Sequence, residues 1–337
     1  MLSAFDRRVL SMRVRQVAVR NRRKSNGPHI AVIANCQTFG VAYAMDMLLP
    51  GATVDPIQIL LGNRTTPELL AKVLRDYDYV FGLKYISTHL RFGDHATLER
   101  LMPSIRWFPL FHFPAYHPDF LFLQKPGAPS AVLGLFNVSQ SAILATAFRL
   151  GLSQKQALSL MNEDMYERLG YFDVWQSAWD EMLRLGRECD LDYGPDMLRW
   201  SRAGCFMHTP VHPKAHVMYD VARMLLRKEG LTLREGDFDR FAVDRLVDDA
   251  VLPIYPPIAK RLGVKGDYVF KRASHPGPKN KAYFYTLEDF VASSYETFSK
   301  ADPSNMQHPR IDGWLQSPEI CDLFRSRARA NHVSIET

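Results

Sequence analysis

The chain reads as an α/β protein: a three-layer fold around an open parallel sheet, with a large helical insertion and a loop-rich C-terminal part. Two observations predict it. The run His29-Ile30-Ala31-Val32-Ile33-Ala34 is short, rich in β-branched residues and almost wholly apolar, as befits a strand covered on both faces. From there to residue 110, strand-like runs alternate with stretches of helical spacing, the pattern of right-handed βαβ units.

Each element has its own justification. Residues 38–49 place Phe39, Ala42, Met45 and Leu49 at helical spacing and stop at Pro50-Gly51. Residues 54–61 form the second strand. Thr66-Pro67-Glu68 opens a helix, with Thr66 as cap and Pro67 in the first turn. Residues 79–83 are the third strand, 94–102 a helix and 105–110 the fourth strand. Residues 139–203 are mainly helical by pattern, and Ser153 caps a helix through Met161. The apolar stretch 204–209 precedes a long helix over 214–228, and a closing helix spans 287–298. On this reading residues 1–27 are a basic arm ending in the breaker cluster Ser25-Asn26-Gly27-Pro28, 28–300 are one domain, and 301–337 are a polar tail.

Composition narrows the function. With 337 residues, 47% of them hydrophobic, the chain can bury a full core without metal or disulfide staples. The four cysteines, Cys36, Cys189, Cys205 and Cys321, form no CxxC pair, which points to the reducing cytoplasm. The net charge of +6 sits in the arm: residues 1–24 hold eight basic groups against one acid, and the rest of the chain nets −1. A nucleic-acid-binding body spreads its charge over a folded face, so that class is set aside. In the arm, Leu2, Phe5, Val9 and Met12 recur at helical spacing among arginines. This suits either an amphipathic helix on an anionic membrane surface or a solvated extension. Arginines interrupt any secretory signal core, and no apolar run is long enough to span a bilayer.

In an open α/β sheet, ligands gather beyond the carboxyl ends of the strands. The first strand delivers Asn35-Cys36-Gln37 to that place. A cysteine at a helix N-terminus ionises more easily than a free one, and the amides of Asn35 and Gln37 are donors for a developing oxyanion. The plainer reading makes Cys36 a small buried hydrophobe. No GxGxxG or GxxxxGKS/T follows the strand, so neither dinucleotide nor P-loop phosphate binding is indicated.

Two histidine groups stand out among the 11 histidines: His112-Phe113-Pro114-Ala115-Tyr116-His117-Pro118-Asp119, and His208-Thr209-Pro210-Val211-His212-Pro213. His208, His212 and His216 have a four-residue spacing that suggests metal ligands on a helix, but Pro210 and Pro213 forbid a regular helix there. No metal is expected. His212 reads instead as a loop histidine at a sheet edge, either a base for an acceptor hydroxyl or a surface or capping residue.

Taken in order, the strand with Asn35-Cys36-Gln37, the Phe-Pro and Tyr116-His117-Pro118-Asp119 loop, and His212-Pro213 resemble the WcbI-type polysaccharide biosynthesis acetyltransferases. Ser139-Gln140-Ser141, Gly151-Leu152-Ser153, Ile254-Tyr255-Pro256-Pro257 and Leu262-Gly263 extend the likeness over roughly residues 28–300. The resemblance implies a fold of the SGNH/flavodoxin-like kind, coenzyme A as co-substrate, and acetylation of a sugar hydroxyl in capsular or exopolysaccharide assembly. In that pattern Cys36 takes the nucleophile's place and His212 the base's. Two positions depart from it: Ala34 stands where a glycine is usual, and Thr209 where an aspartate would orient the histidine. Asp119 is then the candidate orienting carboxylate.

These expectations give three functions. The first is acyl transfer from acetyl-CoA to a sugar, with Cys36, His212 and Asp119 catalytic. Asn35, Gln37, Tyr116 and His117 would bind the oxyanion or substrate, and Lys271, Arg272 and Lys279 would meet the coenzyme phosphates. The second is an esterase using the same groups with water as acceptor. The third is a scaffold of a polysaccharide assembly complex, docked through residues 1–24.

Overall fold

The structure, a computed structural model, describes residue 14 and residues 27–60, 64–91, 93–128, 131–236, 242–274 and 282–333. The basic arm, with the membrane contact expected of residues 1–24, and Lys279 lie outside the described residues. Contacts divide the chain into two compact units. Unit 1 comprises residues 1–111, 181–200 and 212–246; unit 2 comprises residues 112–180, 201–211 and 247–337.

Unit 1 is built on β1 (His29–Ala34), every residue of which is buried because strands flank it on both sides. α1 (Thr38–Leu48) returns the chain to β2 (Thr53–Gln58). α2 (Pro67–Leu74) leads to β3 (Tyr79–Leu83), and α3 (His95–Leu101) to β4 (Arg106–Phe108). The sheet order is β2-β1-β3-β4 and every pairing is parallel. This is the flavodoxin-like order, in which the connections leaving β1 and β3 diverge. The first crossover steps one way across the sheet and the second steps back, so right-handedness puts α1 and α2 on opposite faces.

Local chemistry fixes these ends. Thr66 accepts the Leu69 N–H and Pro67 occupies the first turn of α2; Asp94 does the same for Thr97 ahead of α3. β4 is shorter than the expected 105–110, because Pro109 offers no N–H to continue the ladder. In β3, Gly82 leaves room for Trp107: a Cβ there would stand 2.7 Å from its ring. The helix Ala215–Lys228 packs on α1.

Unit 2 pairs the short strands Phe120–Phe122 and Ser139–Ser141 antiparallel. Ser141 caps the helix Ala142–Arg149, and Ser153 forms a capping box with Gln156 on the helix Gln154–Ser159. Its core is aromatic, with Phe270 stacked on Phe290 at 4.1 Å between centroids and Phe120 and Phe136 edge-on or tilted around them. Within the stretch expected to be a polar tail, Pro309–Gln316 and Pro318–Val333 are helices, with Ile311, Phe324 and Ala328 fully buried. Among the described residues, no helix is long and apolar enough to cross a membrane.

Candidate active site

At the carboxyl end of β1, the chain turns through Asn35 and Cys36, both half-buried, into the fully buried Gln37. The turn is held from within. The Asn35 side-chain oxygen accepts the Gln37 N–H at 3.1 Å and lies 3.6 Å from Cys36 Sγ. The Asn35 carbonyl accepts the Thr38 hydroxyl at 2.6 Å. Cys36 is thus presented ahead of the N-terminus of α1, the positive end of its dipole. The other thiols have different settings: burial pushes Cys189 up to about 11, out of the reactive range, and the half-buried Cys205 donates to the Met207 carbonyl.

Gln37 does something the sequence did not suggest. Its Nε2 donates to the Phe111 carbonyl at 2.9 Å, and its Oε1 accepts the Phe111 N–H at 3.3 Å. The carboxamide mimics one rung of a sheet ladder and ties the β1 turn to the exit of β4. With both ends on backbone, Gln37 acts as a clamp. The Asn35 oxygen is occupied by its own turn.

His212 is buried, at 5% exposure, in the two-residue strand His212–Pro213 of unit 1. It precedes the helix Ala215–Lys228 as Cys36 precedes α1. These two helices touch at their first turns, where a Cβ on Gly40 would lie 2.9 Å from Met218 Cγ. The glycine permits that approach of the two helices, one of which Cys36 precedes and the other His212.

The remaining expected residues belong to unit 2. Asp119 is fully buried in unit 2. Its Oδ1 accepts the Ile143 N–H at 3.0 Å and the Tyr171 hydroxyl at 2.8 Å; its Oδ2 accepts the Tyr255 hydroxyl at 2.9 Å. Burial, and then the Asp119 charge, holds both phenols far above their usual range. The carboxylate therefore anchors the start of the helix Ala142–Arg149 and a tyrosine cluster within unit 2. Tyr116 donates to the Gly204 carbonyl at 3.1 Å, and His117 Nε2 meets the Leu252 carbonyl at 3.0 Å, both side chains being buried.

Two of the expected phosphate cations, Lys271 and Arg272, are bonded within the fold. Lys271 Nζ donates to the carbonyls of Val247, Asp249 and Arg272 at 2.7, 2.9 and 3.2 Å, and burial lowers its pKa. Arg272, at 2% exposure, donates to the carbonyls of Ala282 and Ala273 and stacks on Tyr283. Among the described residues, no group of three His, Cys, Asp or Glu side chains could hold a metal ion.

Sequence reasoning passed over the neighbouring strand ends. The loops after β2 and β3 meet through the Arg91 N–H and the Thr65 carbonyl at 3.1 Å, and so flank the β1 turn. Tyr85, just past β3, takes a left-handed conformation (φ 64°) and is exposed. Ser87 Oγ and Gln58 Oε1 are buried without a hydrogen-bond partner among the described residues. Only Gln58 left a trace in the sequence, as a polar residue beside Ile57 and Ile59.

A family model described as the polysaccharide biosynthesis enzyme WcbI matches residues 29–234. No curated protein matches the chain. One similar solved structure is described as WcbI, a novel polysaccharide biosynthesis enzyme, in native form without a disulfide bond between CoA and one of its cysteines. It aligns with a TM-score of 0.60 at 15% identity, covering 89% of this chain and 99% of that one. At that identity the likeness speaks for the fold.

Proposed function

The chain belongs to the WcbI family of polysaccharide biosynthesis enzymes, and on that premise we propose that it is a coenzyme A-dependent O-acyltransferase, moving an acetyl group from the thioester to a sugar hydroxyl. The observation that carries this reading is the contact between the first turns of α1 and the helix Ala215–Lys228, the two helices that the Asn35-Cys36 turn and His212 precede. The similar solved protein, whose description names a CoA–cysteine disulfide, lends support: such a bond needs a cysteine beside the coenzyme thiol, and Cys36 is the half-buried cysteine at the sheet's ligand end.

In this mechanism His212 takes the proton of the acceptor hydroxyl as that oxygen attacks the thioester carbonyl. Asn35 Nδ2 and the positive end of α1 face the oxyanion. As the tetrahedral centre collapses, the carbon–sulfur bond breaks and His212 returns the proton to the departing thiolate. In the two-step variant Cys36 Sγ first accepts the acetyl group and then yields it to the acceptor. Cytoplasmic placement, where acyl-CoA is available, and the anionic-membrane contact of residues 1–24 belong to the same reading.

The test is acetyl-CoA consumption with glycan acceptors by the wild type, Cys36→Ser, Cys36→Ala and His212→Gln. His212→Gln should lose about a hundredfold in rate, in keeping with a general base. Full activity in both Cys36 variants would eliminate the two-step version. Model-ester hydrolysis without an acceptor, as fast as transfer, would replace the transferase with an esterase. Absence of both CoA binding and turnover would overturn the reading.

A further inference from the structure

The buried carboxamide of Gln58 shares with Ser87 Oγ the want of a hydrogen-bond partner at this end of the sheet, but only Gln58 lies on a strand paired directly with the end of β1. Gln58 closes β2, is in register with Ala34 on β1, and is 9% exposed. Its Oε1 is buried with no hydrogen-bond partner among the described residues. Leaving such a group unmet is costly, and native interiors rarely tolerate this away from a site. Gln37, by contrast, has both amide ends satisfied by Phe111.

Position supplies the rest. Register partners on adjacent parallel strands leave the sheet on the same face, with backbones about 4.8 Å apart. Gln58 therefore stands beside the residue from which the Asn35-Cys36 turn departs. The Ile59 N–H bonds to the Ala34 carbonyl at 2.8 Å, so the two strand ends are locked together. A ligand group within reach of Cys36 is then within reach of a glutamine side chain one strand away.

We propose that Gln58 is a ligand-binding residue that pairs with the secondary amide of the pantetheine arm next to the coenzyme A sulfur. This rests on the acyltransferase reading above and extends it. The pantetheine arm carries a secondary amide two carbons from its sulfur, with one donor and one acceptor. Gln58 Oε1 offers the acceptor for the amide N–H, while the carbonyl of this trans amide points the opposite way. An apolar wall around such an amide would leave its N–H unmet, whereas the buried Gln58 oxygen satisfies it. Held there, the thioester carbon faces the Asn35-Cys36 turn.

The experiment is calorimetry of the full chain with three probes: coenzyme A, pantetheine and adenosine 3′,5′-bisphosphate. It compares the wild type with Gln58→Leu and Gln58→Met and records melting temperatures alongside. Both variants should weaken coenzyme A and pantetheine binding about tenfold. They should leave the bisphosphate unchanged and melt no lower than the wild type, because an unmet polar group has been removed from the interior. Unchanged coenzyme A affinity in a folded variant would refute the role of Gln58 alone. A wild type that binds no coenzyme A would refute the acyltransferase reading and this assignment with it. Equal losses for all three probes would mean a general disturbance of the site and would also refute the pairing.

Discussion

Replacing Gln37 with alanine tests the clamp that fixes the reactive turn. The side chain meets the Phe111 carbonyl at 2.9 Å and the Phe111 N–H at 3.3 Å, and it is fully buried. Truncation strands both backbone groups. At about 1–3 kcal/mol for each buried group left unmet, and allowing for partial recovery by entering water, the loss is about 3 kcal/mol. For a unit of this size, with roughly 3 °C per kcal/mol, the melting temperature should fall by about 9 °C. Gln37→Met keeps most of the volume but neither bond, so it separates hydrogen bonding from packing; it should recover less than half of the loss. Differential scanning fluorimetry gives the stability, and a coenzyme A titration on the folded protein shows whether the Asn35-Cys36 turn has shifted. A melting point within about 3 °C of the wild type for Gln37→Ala would refute the argument, since it would leave less than about 1 kcal/mol for two buried bonds.

Three further outcomes follow from the same structure. Gly40→Val should destabilise the protein by about 2 kcal/mol through overpacking against Met218, and Met218→Ala in the same chain should restore part of it, as a double-mutant cycle by thermal denaturation would show. Asp119→Asn should cost about 2–4 kcal/mol by loosening three buried bonds, yet leave the pH profile of kcat per folded molecule unmoved; a displaced profile would restore the orienting role expected from the sequence. Lys271→Met should leave coenzyme A affinity unchanged. Burial lowers the folded pKa of Lys271 below its unfolded value of 10.5, so in the window between the two the unfolded state binds more protons and wild-type stability rises with pH. That rise should vanish in the variant when denaturation is followed up to about pH 10.5.

What could be read in the sequence was local. The apolar run of β1, the caps at Thr66 and Ser153, and the Asn35-Cys36 turn are each decided by a few adjacent residues, and each is found where its chemistry puts it. The misjudged residues are those whose partners are distant along the chain. Gln37 and Phe111 are 74 residues apart, and Asp119 reaches Tyr171 and Tyr255 across 52 and 136. In a list of residues a basic pair such as Lys271-Arg272 looks like a phosphate site. Only the fold reveals the carbonyls that already occupy it. Gly40 illustrates the same limit, since nothing around it announces that Met218 needs its space.

Each unit is assembled from three separate stretches of chain, interleaved with those of the other. During synthesis, the parallel sheet emerges whole with residue 108, but the helix that covers α1 arrives only after residues 215–228, with two excursions through unit 2 in between. The first ribosome-bound form of the sheet must therefore wait with an uncovered helix face, a condition that favours slow, long-range closure and exposure to chaperones. For the same reason no single continuous fragment consists of either unit alone, so neither can be excised as a gene segment. The packing of the helix Ala215–Lys228 on α1 comes into being only once most of the polypeptide has been made.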